Sequence, residues 1–345
     1  MVVIMKPGAT KAEVGYVVHK LGEYGLRAHV SAGEERTVVG MLGDERKADM
    51  DALAALPGVE RVVPVAKPYK LASREGHPQD RPVKVNGVTI GGGELVVMAG
   101  PCSVEKYDVM LAIARAARED GATVLRGGAY KPRTSPYEFE GQGKEGLEIL
   151  QKVGREVGMP VITEVLDTRD VGMVSQYADI LHIGARNAQN QSLLDEVGHA
   201  KRPVLLKRGM CETINEWLLA AERIMKHGNE NVMLCERGIR TFETYTRNTL
   251  DTNAITAAKL ESYLPVIGDP SHATGKRGMV YNAAMACIAA GADGLLVEAH
   301  VAPDKALSDG QQTIAAGSAG NGLGKLVSDA REIHALMHRL NGKSH

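Results

Sequence analysis

"LVVMAGPCSVEKYDVMLAIARAAREDGATVLRGGA", residues 95–129, holds one full structural period of the chain. An unbroken apolar run, LVVMAG, leads into KYDVMLAIARAARED, whose apolar residues recur at helical spacing, and then into a second run, TVLRGGA. Runs apolar on both faces suit parallel strands covered by helices, and parallel neighbours need such a crossover. The alternation continues downstream. PVITEVLD (160–167), DILHIGA (179–185), PVLLKRG (203–209), NVMLCERG (231–238), LPVIGDPSH (264–272) and GLLVEAH (294–300) bring the runs to eight. Amphipathic stretches such as TINEWLLAAERIMKHG and GMVYNAAMACIAAG separate most of them, and GLGKLVSDAREIHALMHRL follows the last. Eight such units over about 250 residues predict a (β/α)8 TIM barrel, an α/β fold, at 94–345. A doubly wound open sheet is the alternative, but no GxGxxG fingerprint follows the first strand.

Residues 1–66 read as a separate, smaller unit. VVIM is a strand, and KAEVGYVVHKLGEYG places Val14, Val17, Val18 and Leu21 on one helical face. LRAHVSA and RTVVGML form a hairpin around Gly33-Glu34-Glu35; KADMDALAALPG is a short helix and VERVVPVA a last strand. This βαββαβ order predicts a ferredoxin-like sandwich. KPYKLASREGHPQDRP is a linker by composition, and VKVNGVTI a hairpin turning at Asn86-Gly87, so 67–93 separate the two domains.

Bulk composition excludes several classes. Lys+Arg number 41 and Asp+Glu 42 in 345 residues, which leaves no charge excess for a general nucleic-acid or membrane surface. No apolar run approaches ~20 residues and MVVIMKPGAT lacks a signal-peptide core, so a soluble cytoplasmic protein is expected. The four cysteines are scattered without a CxxC pair, against a disulfide framework or a structural zinc site. Cys211, Cys235 and Cys287 are read as structural.

A barrel carries its chemistry at the C-terminal ends of its strands, and polar residues gather there. Arg126, Lys131, Arg133, Arg186, Lys207 and Arg237 come from strands two, four, five and six, Glu164 from strand three, and His182 from strand four. So many cations with few matching carboxylates imply ligands with several negative charges. Across the circle, Cys102, His272 and Glu298 end strands one, seven and eight, with Asp309 in the following loop. Thiolate, imidazole and two carboxylates suit a divalent metal that polarises a carbonyl, without selecting one ion.

Seven stretches, AGPCSVE, LRGGAYKPRTSP, IGARNAQNQSLL, LLKRGM, CERGIRTFE, GDPSHATGKR and VEAH, resemble the 3-deoxy-D-arabino-heptulosonate 7-phosphate (DAHP) synthases. The variety resembled has an N-terminal ferredoxin-like regulatory domain. The resemblance implies condensation of phosphoenolpyruvate with erythrose 4-phosphate, the first step of the shikimate pathway, with release of inorganic phosphate. It implies a metal (Mn2+, Fe2+, Co2+ or Zn2+) on Cys102, His272, Glu298 and Asp309, and phosphoenolpyruvate on Arg126, Lys131, Arg186, Lys207 and Arg237. Erythrose 4-phosphate falls to Pro132, Arg133, Thr134 and Ser135, and proton donation to Lys131. Feedback by tyrosine or phenylalanine is implied for the small domain, with His29 and Ser31 as candidate contacts, and a homo-oligomer, taken as a tetramer, is expected.

Three rivals remain. A sister class condenses phosphoenolpyruvate with arabinose 5-phosphate to 3-deoxy-octulosonate 8-phosphate; its loop typically reads Lys-Ala-Asn-Arg-Ser, where this chain has Lys131-Pro132-Arg133-Thr134-Ser135. Proline stiffens the loop and brings Arg133 one residue nearer Lys131, which favours the shorter sugar. A class II aldolase needs fewer cations, and a non-catalytic amino-acid sensor does not need them.

Overall fold

The structure, a computed structural model, describes residues 1–33, 36–63, 67–131, 137, 139–317, 322–340 and 342. It divides into Met1–Asp80 with Leu260–Tyr263, and Arg81–Lys259 with Leu264–His345.

In the first unit, β1 (Val2–Met5), α1 (Lys11–Glu23), β2 (Arg27–Ala32), β3 (Thr37–Leu42), α2 (Met50–Ala54) and β4 (Val59–Val63) follow in order. Thr10 and Glu13 close a reciprocal capping box at the start of α1. Val17 and Leu21 on its inner face pack with Val3, Met5, Val39 and Met41. The antiparallel sheet runs β2-β3-β1-β4, as in a ferredoxin-like sandwich. Its helix-free face holds Val2, Ile4 and Val38. The stretch read as a linker by composition is packed in part: Tyr69, Leu71 and Ala72 are buried. Proline and polar residues there exclude a regular element, but they do not prevent packing.

In the second unit the Asn86-Gly87 turn forms as read, with φ of 43° and 86°, joining β5 (Val83–Val85) to β6 (Val88–Ile90). Then come β7 (Val96–Gly100), α3 (Tyr107–Glu119), β8 (Val124–Arg126), α4 (Gly143–Val157), β9 (Val161–Glu164), α5 (Val171–Tyr177) and β10 (Ile180–Ile183). α6 (Gln191–His199), β11 (Val204–Lys207), α7 (Ile214–Lys226), β12 (Val232–Glu236), α8 (Thr252–Glu261) and β13 (Val266–Gly268) continue the alternation. α9 (Pro270–Thr274), α10 (Arg277–Ala289), β14 (Gly294–His300), β15 (Ile314–Ala315) and α11 (Leu323–Leu340) complete it. β7 to β14 are parallel and close through β14, which pairs with both β13 and β7. This is the eight-stranded barrel, and each predicted run supplies one stave.

The β5–β6 hairpin belongs to this core. Val83, Val85 and Ile90 cluster with Val96, Met98, Val124, Ile162, Ile180, Leu205 and Leu296 inside the strands. Asn86 Nδ2 donates to Asp179 Oδ1 (2.9 Å), just ahead of β10. The hairpin therefore floors the N-terminal end of the barrel, and the opposite end stays available for chemistry.

Candidate active site

The C-terminal ends of the strands surround a cavity of about 740 Å3 lined by Lys131, Glu164, His182, Arg186, Lys207, Arg237, His272 and Asp309. Cys102, His272 and Glu298 bring one ligand atom each within 4.8 Å of one another. Asp309 stands beside them, its Oδ2 2.8 Å from Cys102 Sγ. β7, β13 and β14 are neighbours in the closed barrel, so residues far apart in sequence meet here.

Each of these groups has a support. Asp269 caps α9 by accepting from the His272 backbone N–H (2.9 Å), and its carboxylate lies 2.8 Å from His272 Nδ1. That contact orients the ring with Nε2 toward Glu298 (3.2 Å). Burial pushes the His272 pKa below the usual imidazole range, which favours the neutral, ligating form. Glu298 accepts from Gln312 Nε2 (2.7 Å) and Arg126 Nη1 (3.0 Å). Burial and the Glu298 charge push the Cys102 thiol up to about 12. Such a thiol ionises only when a cation takes up its charge. A buried sulfur, a neutral imidazole and carboxylate oxygens fit a divalent transition metal.

The cations divide into two groups. Arg126 pairs with Glu298, Lys207 Nζ lies 2.6 Å from Asp269, and Lys131 Nζ donates to Cys102 Sγ (2.8 Å) and O (3.0 Å). These three are less free than composition suggests, because strand ends across the mouth supply carboxylates and the thiol. Arg186 and Arg237 make no ion pair among the described residues, nor does Arg240, which lines the cavity with Arg247. Arg240 and Arg247 are additions to the sequence reading, in the loop after β12. Two cations spaced through a strand-end loop were the available signal. Arg237 is 5 % exposed, and burial lowers its pKa. The adjoining Glu236 belongs to another network: it binds Arg208 Nη1 (3.0 Å), which also holds Asp251 (2.8 Å).

Glu164 and His182 line a small recess with Arg126 and Lys131. A Cβ on Gly184 would stand 1.9 Å from Glu164 Oε1, so a larger residue there would displace the carboxylate from this position. His182 is buried, and its Nε2 lacks a hydrogen-bond partner among the described residues. Pro132, Arg133, Thr134 and Ser135 lie outside the described residues. His29 and Ser31 are far from this chemistry in sequence and occupy β2, the edge strand of the small sheet. They pair with Gly40 and Val38, on the helix-free face. Cys235 and Cys287 are buried free thiols, as read, and Cys211 is exposed.

Fold and cavity define the class: a (β/α)8 barrel enzyme with its working end at the strands' C-termini. The DAHP synthetase I family model matches residues 74–333, and the DAHP synthase ferredoxin-like domain matches residues 1–67. A phospho-2-dehydro-3-deoxyheptonate aldolase of Thermotoga maritima is 51 % identical over 91 % of this chain and 93 % of its own. The solved structure of a T. maritima DAHP synthase covers 99 % of this chain and 98 % of its own at 47 % identity, with a TM-score of 0.74. A 2-dehydro-3-deoxyphosphooctonate aldolase of Syntrophobacter fumaroxidans is more distant, 33 % identical over 67 % of this chain and 85 % of its own. The chain belongs to the DAHP synthetase I family, and its function is that of a DAHP synthase.

Proposed function

We propose that the chain joins phosphoenolpyruvate to erythrose 4-phosphate with a divalent ion held by Cys102, His272, Glu298 and Asp309. The supporting observation is the Cys–His–Glu set opening beside a cavity whose Arg186, Arg237 and Arg240 have no acidic partner among the described residues. When bound, the ion supplies Lewis-acid polarisation of the aldehyde oxygen; the donors admit Mn2+, Fe2+, Co2+ or Zn2+.

The protein's own groups do the rest. Arg126, Lys131, Arg186, Lys207 and Arg237 hold the carboxylate and phosphate of phosphoenolpyruvate, and Arg133, Thr134 and Ser135, after the rigid Pro132, hold the aldose phosphate. The methylene carbon of phosphoenolpyruvate bonds to the aldehyde carbon, its π pair becoming the new bond. Lys131 Nζ, beside Cys102, protonates the former aldehyde oxygen. Water adds at the enol carbon and gives up its protons. The bond from that carbon to the phosphate oxygen then breaks, leaving a ketone and inorganic phosphate. Glu164, whose carboxyl burial pushes upward, is placed to take one proton of that water, the other passing to the departing phosphate, and His182, whose Nε2 lacks a partner among the described residues, is placed to orient it.

The ferredoxin-like unit is assigned the binding of tyrosine or phenylalanine as a feedback effector, with His29 and Ser31 on the helix-free face as contacts. A biosynthetic role of this kind places the enzyme in the cytoplasm; among the described residues no helix is long and apolar enough to cross a membrane.

Consumption of phosphoenolpyruvate, measured with a panel of aldose phosphates before and after chelation, tests this reading. Erythrose 4-phosphate should be preferred, and metal removal or Cys102→Ala should abolish turnover. Full activity after exhaustive chelation would refute the metal assignment. Preference for arabinose 5-phosphate would refute the choice of sugar.

A further inference from the structure

We infer that Glu105 is a positioning residue, a strut fixing the distance between the loop that bears Cys102 and the loop that bears Asp309. The inference rests on the assignment of these residues as metal ligands. Glu105 follows Cys102 by three positions, is 7 % exposed and has no part in the chemistry above. A buried carboxylate is costly unless hydrogen-bonded, and this one accepts from a backbone N–H across the mouth. Its Oε1 accepts from the Leu307 backbone N–H (3.1 Å) and faces His300 Nε2 at 3.3 Å. His300 Nδ1 accepts from the Ala302 N–H (2.8 Å), which shapes the start of the turn after β14.

One carboxylate oxygen thus holds the far end of the turn that leaves β14 by a hydrogen bond and lies against its near end. His300 is the last residue of that strand, and Leu307 lies two residues before Asp309. The other side of the strut is anchored independently. Val104 N–H donates to Gly128 O (3.0 Å) and Gly128 N–H to Cys102 O (3.1 Å), which fastens the Cys102 loop to the strand beside it. Asp309 needs holding, because its φ of 56° lies in the left-handed region, which non-glycine residues keep only where their surroundings impose it. Ser308 Oγ donates to Asp309 Oδ2 (2.9 Å) and Thr313 Oγ1 to Asp309 O (3.0 Å), which shape the loop from within. Glu105 ties that loop to the fixed one and so sets the 2.8 Å approach of Asp309 Oδ2 to Cys102 Sγ.

The test is a titration of the full-length, chelated protein with cobalt(II), followed by the thiolate-to-cobalt charge-transfer absorption. Hydrogen exchange over residues 301–313 of the metal-free protein is measured alongside. Glu105→Ala should weaken cobalt binding roughly 10–100-fold, the range for loss of a group that orients ligands. It should also speed exchange in 301–313 while the rest of the barrel exchanges as before. Glu105→Gln keeps the accepting oxygen and should restore both readouts. Glu105→Asp, which keeps the charge but falls one methylene short of the Leu307 N–H, repeats the comparison should the alanine variant fail to fold. Unchanged affinity in Glu105→Ala, uniformly faster exchange, or a glutamine variant as weak as alanine would each overturn the strut. A parent protein with no charge-transfer band would overturn the ligand assignment itself, and the strut with it.

Discussion

His182 is buried in β10, and that burial, reinforced by Lys207 and Arg126, holds its pKa well below the usual imidazole range. In the unfolded chain the same ring takes a proton near pH ~6.5. As pH falls through that value the unfolded state binds a proton that the folded state refuses. The stability associated with His182 is therefore present above about pH 6.5 and lost on acidification. Glu164 has the opposite sign: burial raises its pKa, so its contribution is present at low pH and lost as pH rises. Thermal melts of the chelated protein between about pH 7.5 and 5 should show a shallower acid loss for His182→Gln than for the parent. Parallel curves would show that the ring is not held neutral. At this scale the sequence was informative about which residues matter and silent about their partners. Cys102, His272, Glu298 and Asp309 could be located because a barrel orders its strand ends. That Lys207 meets Asp269, or that Arg208 rather than Arg237 answers Glu236, depends on distances that only the closed sheet creates.

Among the elements, the β5–β6 hairpin shows best how local and distant information separate. Asn86-Gly87 encodes its own turn, so the hairpin was legible. Its destination was not, because nothing local says that Val83, Val85 and Ile90 enter the barrel. The same limit applies to Tyr69 and Leu71, apolar residues in a polar stretch whose burial requires a surface that sequence does not display. The eight parallel runs escaped it because a strand covered on both faces carries its burial in its own composition. Ile90 is fully buried and far from the mouth, so Ile90→Ala should lower stability by about 2–5 kcal/mol. Urea unfolding should register that loss while turnover of the folded fraction stays at the parent level. A loss of turnover at full folding would mean that the floor shapes the active site.

For the whole molecule, the two units predict separable roles. A chain of residues 81–345, which retains the hairpin, should keep condensation activity and lose its response to tyrosine or phenylalanine. Undiminished inhibition of that shortened chain would place the effector site in the barrel. Starting at residue 94 instead should leave Val96, Met98 and Val124 open to water, and the product should aggregate. The floor has one more consequence, which concerns traffic. A chamber closed below opens, among the described residues, at the strands' C-terminal ends, and its cations differ in depth: Arg126, Lys207 and Arg237 are buried, whereas Arg186, Arg240 and Arg247 are exposed at the entrance. Whatever seats at the back must arrive before anything that stands in the doorway, and the front occupant must leave first. Of the cations assigned to phosphoenolpyruvate, Arg126, Lys207 and Arg237 are deep and Arg186 alone stands at the entrance, so turnover should follow a queue with phosphoenolpyruvate admitted ahead of the sugar. In isotope-trapping experiments, labelled phosphoenolpyruvate bound to the enzyme should be committed to product by excess erythrose 4-phosphate, while prebound labelled sugar should escape. Equal trapping of both would mean that the chamber has a second way in.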